Sequence, residues 1–136
     1  MKKTMIMPQE VEVWYLLPAL RRELANIFLK DYAINQRRIS KMLGITESAV
    51  SQYLSSKRAS ELIFSLKERK KIKEAAKKII NKKQSVMKTL YNLSAFFMKS
   101  KVMCNFHKEH DKRFGYNILQ KVLPTLDSIH EPSFIS

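Results

Sequence analysis

A chain of 136 residues with only two glycines and four prolines has few places for tight β-turns, and with 45% hydrophobic residues it can still bury a modest core, which excludes a turn-rich β-fold and points to an all-α protein. Its 26 lysines and arginines against 12 acidic residues leave a formal net charge of +14; such a chain repels itself until something neutralises it, and nucleic-acid phosphate is the commonest candidate, with an anionic membrane surface next. One cysteine, Cys104, rules out an intramolecular disulfide and suits a reducing cytoplasm.

The start, Met1-Lys2-Lys3-Thr4, imitates a signal-peptide n-region, but the apolar run Met5-Ile6-Met7 is too short and Glu10 and Glu12 follow it. No stretch approaches the roughly 18 apolar residues of a spanning helix, so a soluble cytoplasmic protein is expected. Pro8 suits a helix N1 position, with Gln9, Glu10 and Glu12 in the first turns. Val11, Trp14, Tyr15 and Pro18 share a helical face, although Val11, Val13, Tyr15 and Leu17 alternate as a strand would. Helix is the reading adopted, kinked or restarted at Pro18. Trp14 is expected as a core or dimer-contact residue. From Pro18 to Asp31, Leu20, Leu24, Ile27 and Phe28 recur at helical spacing.

Residues 36–55, QRRISKMLGITESAVSQYLS, read as two short helices joined by a tight turn. Asn35 is the N-cap of the first, which puts Gln36 at N1 and Arg37 and Arg38 in the first turn. Cations there oppose the helix dipole, and a bound phosphate would explain them. Ile39, Met42 and Leu43 make one apolar face, and Gly44 follows where a positive φ ends the helix. Ile45 plugs the gap between the helices, and Thr46 caps the second helix. There Ala49, Val50, Tyr53 and Leu54 form the buried side, opposite Glu47, Ser48, Ser51, Gln52 and Ser55. Those polar side chains leave a slim face that fits a major groove about 12 Å wide.

Gln36, a small residue four later (Ser40), Gly44 eight later, and β-branched Val50 six after the glycine form a pattern. It resembles the helix-turn-helix of the Cro and lambda-repressor type, the XRE family; the small residue there is usually alanine, and Ser40 departs mildly. The resemblance implies a lambda-repressor-like bundle, 8–66, that binds double-stranded DNA as a homodimer and regulates transcription. Glu47, Ser48, Ser51 and Gln52 would read base edges, and Gln36, Arg37, Arg38, Thr46, Ser55, Lys57 and Arg58 would hold phosphates. The segments PQEVEVWYLLPALRRELA and ISKMLGITESAVSQYLSSKRA are also similar to a group of archaeal predicted transcription regulators. In that group the start carries Pro-Cys-Glu and the C-terminal part a Cys-x-x-Cys. Gln9 stands where the first cysteine would be, and Cys104 and His107 where the pair would be, which implies that a cysteine-ligated cluster is lost.

Beyond the motif, Ser60 and Glu61 are expected to open another helix with Leu62, Ile63 and Leu66 as its apolar side. Residues 67–83 carry nine basic residues against Glu68 and Glu74, yet Ile72, Ala75, Ala76, Ile79 and Ile80 keep a helical stripe. This is a basic amphipathic helix, whose outer face is left open between DNA backbone, a membrane surface and plain solvent. Asn81 to Gln84 is a boundary. Ser85 then caps a helix on which Val86, Leu90, Leu93 and Phe97 form a stripe widened by Met87, Tyr91 and Met98. That face is either a subunit interface or buried against the N-terminal helix. Residues 84–136 are expected to be a helical region for dimerisation or sensing, with a last helix around Tyr116, Ile118, Leu119, Val122 and Leu123 and a tail from Glu131.

Cys104, His107 and His110 have a C-x2-H-x2-H spacing. A structural metal site wants a fourth ligand, and Lys108 opposes a cation, so no metal and no cofactor is expected. A metal- or redox-responsive regulator using these three residues is the alternative reading, and a non-specific nucleic-acid-packaging protein is another. No Gly-rich phosphate loop, metallo-hydrolase pair or Ser/His/Asp set is recognisable, so neither an enzyme nor a small-molecule substrate is expected, and no membrane partner.

Overall fold

The computed structural model describes residues 7–100 together with Met103 and Phe106, and these are all-helical, with no strand among them. The order is α1 (Pro8–Val11), a π-helical turn (Glu12–Leu16), α2 (Leu17–Lys30), α3 (Gln36–Leu43), α4 (Glu47–Leu54), α5 (Leu66–Ile80) and α6 (Val86–Met98). Among the described residues no helix is long and apolar enough to cross a membrane.

Pro8 takes the first helical position as its missing N–H allows, and the Met7 N–H donates to the Glu10 carboxylate at 2.8 Å. The break expected at Pro18 is absorbed one turn earlier. Proline has no N–H to give, and its ring crowds the carbonyl four residues back, so the hydrogen-bond ladder opens and the Leu17 N–H reaches five residues back to the Glu12 carbonyl. The widened turn re-phases the helix. Val11 and Leu16, five apart, are both fully buried, whereas Trp14 is 54% exposed and is not a core residue. The face expected of Val11, Trp14, Tyr15 and Pro18 therefore does not form as one stripe.

Helix α2 is the centre of the structure. Ala19, Leu20, Leu24, Ala25, Ile27 and Phe28 are buried along it, and α3, α4, α5 and α6 all pack against it. Phe28 is fully buried; truncating such a side chain to alanine costs about 3–5 kcal/mol. One hydrophobic cluster runs from Val11 through Ile39, Leu43 and Val50 to Ile72, Leu90, Phe97 and Phe106.

The helix expected from Ser60 is absent. Residues 60–64 are irregular, with Leu62 and Phe64 turned inward while Ile63 is 68% exposed. Helix α5 opens later, at a capping box: the Glu68 N–H donates to Ser65 Oγ at 3.2 Å and the Ser65 N–H to Glu68 Oε1 at 2.7 Å. Leu66, expected on the apolar side, is 85% exposed in the first turn. The stripe of Ile72, Ala76 and Ile79 is buried as the spacing predicts. Ser85 caps α6, accepting from the Lys88 N–H at 3.1 Å. Leu90, Leu93 and Phe97 go into the core against α2, α5 and the π turn, where Phe64 and Phe97 lie 5.1 Å apart and Ser94 donates to the Glu12 carboxylate. Met87 and Tyr91 do not widen that stripe, being 79% and 74% exposed.

Candidate nucleic-acid interface

The segment between α2 and α4 is built from caps. Asn35 Oδ1 accepts from the Arg38 N–H at 2.9 Å, and Thr46 Oγ1 from the Ala49 N–H at 3.0 Å, so each of the two eight-residue helices starts on a side chain that satisfies one of its orphan donors. Between them Gly44 has φ +68, and the Ile45 N–H closes the turn on the Ser40 carbonyl at 3.0 Å. Ser40 is buried and donates from Oγ to the Arg37 carbonyl at 2.7 Å. A small side chain there keeps α3 close to its neighbours, and its one polar group is satisfied.

Helix α4 presents two unlike sides. Ala49, Val50 and Tyr53 are buried, and Leu54 is half-buried. Glu47, Ser48 and Ser51 are exposed, Gln52 is half-buried, and Ser55 is exposed just past the last turn. The expected division of the helix is therefore present. Ser55 Oγ donates to the Gln52 carbonyl at 3.3 Å, and the Thr46 hydroxyl, accepting at the cap, keeps its own proton to donate. Glu47 sits in the first turn, where the helix dipole favours a carboxylate whatever else is bound.

Cations flank this face on both sides. Gln36, Arg37 and Arg38 are exposed at the start of α3, and Lys57 and Arg58 just beyond α4. Among the described residues Arg37, Arg38 and Lys57 make no ion pair. The Arg58 guanidinium lies 5.6 Å from the centre of the Tyr53 ring, a cation–π contact that leans it onto the end of α4. The turn that carries both residues is pinned: the Lys57 N–H donates to the Gln52 carbonyl at 2.9 Å, with Ser56 between them at φ +62.

Two residues that matter here escaped the sequence reading. Arg22 and Glu23 are buried on α2, 2.8 Å apart. Glu23 is also 3.5 Å from Arg69 of α5, and Arg22 donates to the Ala59 carbonyl. Ala59 is itself left-handed, at φ +61, so a buried charge pair on the central helix holds the turn that displays Lys57 and Arg58. A signal existed. Glu23 falls between Leu20, Leu24 and Ile27 on the apolar stripe, where a carboxylate needs a partner.

Among the described residues no group of three His, Cys, Asp or Glu side chains could hold a metal ion. Cys104, His107 and His110, the expected last helix and the tail lie outside the described residues. Comparison with protein-family models, curated proteins and solved structures finds no match to this chain.

Proposed function

We propose that the protein is a sequence-specific DNA-binding transcription regulator, with α3 and α4 acting as a helix-turn-helix of the lambda-repressor kind. The observation that carries the reading is one composite: two capped helices joined through a left-handed Gly44, with a polar face on the second and, at the start of the first, cations that make no ion pair among the described residues. Glu47, Ser48, Ser51 and Gln52 read base edges in the major groove. The Gln52 amide makes a bidentate contact to adenine, and Glu47 accepts from a cytosine amino group. Gln36, Arg37, Arg38, Thr46, Ser55, Lys57 and Arg58 hold phosphates and fix the register. Two copies place their second helices one DNA turn apart, roughly 34 Å, because a single small motif seldom binds tightly alone.

The test is a binding series against a duplex selected from a random pool and against a scrambled duplex. Gln52→Ala should weaken binding to the selected duplex by about 1–3 kcal/mol and leave the scrambled one unchanged. Equal loss on both would remove Gln52 from base reading. Wild-type binding that is indifferent to sequence and collapses with salt would replace this reading with non-specific nucleic-acid packaging, which the net charge of +14 also favours.

A further inference from the structure

The nine basic residues of 67–83 do not form one surface. Arg69 faces Glu23, and Lys73 lies 4.0 Å from Asp31 of α2. Lys71 sits over the Phe96 ring of α6 at 4.1 Å. Lys82 and Lys83 are placed otherwise: they share a groove of about 720 Å³ with Arg38 of α3, and no carboxylate among the described residues lines it. Neither lysine, nor Arg38, makes an ion pair among the described residues.

The turn that carries them has a defined shape. The Lys83 N–H donates to the Lys78 carbonyl at 2.9 Å and the Lys82 N–H to the Ile79 carbonyl at 3.0 Å, the double closure of a Schellman motif. Lys82 occupies the left-handed position, at φ +59, where glycine is the usual residue. A cation thus stands where backbone geometry alone would select no side chain.

We infer that the α5–α6 turn is a second phosphate clamp, in which Lys82 and Lys83 with Arg38 grip the DNA backbone beside the helix-turn-helix. The inference rests on the DNA-binding reading above and extends its contact surface. Two observations favour DNA backbone as the occupant: the three cations face no anion among the described residues, and Arg38 belongs both to this cluster and to the first turn of α3, so the two surfaces are continuous. The first turns of α5 are not the contact. Its lysines near the start, Lys67 and Lys70, stand about 18 Å or more along the axis from Lys82 at 1.5 Å per residue.

The experiment compares two double variants of the full chain by the slope of log K against log salt, on the selected and scrambled duplexes. Lys82→Asn with Lys83→Gln removes two charges and keeps the turn, since asparagine tolerates the left-handed region. Lys67→Gln with Lys70→Gln removes two charges at the far end of the same helix. Each lost phosphate contact reduces the slope by about 0.9, so the first pair should lower it by about 1.8 while sequence preference is kept, and the second should shift it by well under 1. Equal reductions would overturn the clamp in favour of a diffuse charge effect, and an unchanged slope in the first pair would overturn it outright. Failure of the underlying reading looks different: the wild type would then prefer neither duplex, or bind none, and in the latter case the clamp falls with it.

Discussion

Single residues carry the shape of the turns, and one of them isolates a conformational cost. A Cβ added at Gly44 meets nothing within 4 Å, so Gly44→Ala is expected to destabilise through backbone strain alone, by about 1–2 kcal/mol, with Gly44→Asn costing less. The converse substitution tests the same physics. Ala33, Ser56 and Lys82 follow α2, α4 and α5 in the left-handed region without being glycine. Ala33→Gly and Ser56→Gly should each raise stability by about 0.5–1 kcal/mol, read as the midpoint of thermal or urea unfolding. Glycine count alone therefore misleads as a guide to turns. The chain has two glycines and at least four left-handed helix ends, and the residue at three of them leaves no signal a reader of the sequence could weigh. Gly44 was legible because it sits directly after an apolar stripe.

Elements were legible where local chemistry and tertiary packing agree. Asn35, Thr46 and Ser85 announce their helices as caps, and the stripes of α2 and α5 are buried as their spacing requires. The region after the motif misled because Ser60-Glu61 imitates a helix start. The stronger signal was five residues on, Ser65 with Glu68 three later, while Leu62 and Phe64 alternate about an outward Ile63 with a period of two. The phase of α1 was beyond reach for another reason: the spacing of Val11 and Leu16 fits the core only once the ladder has opened for Pro18. The buried Arg22–Glu23 pair, with half-exposed Arg69 beside it, couples elements that no local rule relates. Glu23→Ala leaves Arg22 buried without its partner and should cost about 3–5 kcal/mol in chemical unfolding. It should also loosen the turn at Ala59, seen as faster amide exchange in residues 56–60. An unchanged unfolding midpoint would mean that the pair only breaks even.

At the scale of the molecule the α3–α4 segment does not own its core. Helix α2 lies under α3 and α4 on one part of its surface and under α5 and α6 on another, and Phe97 of α6 is as fully buried as Phe28 of α2. Phe97→Ala should therefore destabilise the whole by about 3–5 kcal/mol, and weaken the proposed DNA binding only in proportion to the fraction unfolded. A loss of binding at temperatures where the variant is folded would point instead to a direct role for α6. The dependence of α2 on α6 also has a consequence in time. A nascent chain grows from its N-terminus at about 5–20 residues per second, so several seconds separate the appearance of Phe28 from that of Phe97. Through that interval the apolar side of α2 that α6 will cover has no lid, although α3 and α4 have already been made. The protein thus emerges with α3 and α4 complete in sequence but unsupported, and α6, the last of the helices from α1 to α6 to leave the ribosome, is the one that covers α2.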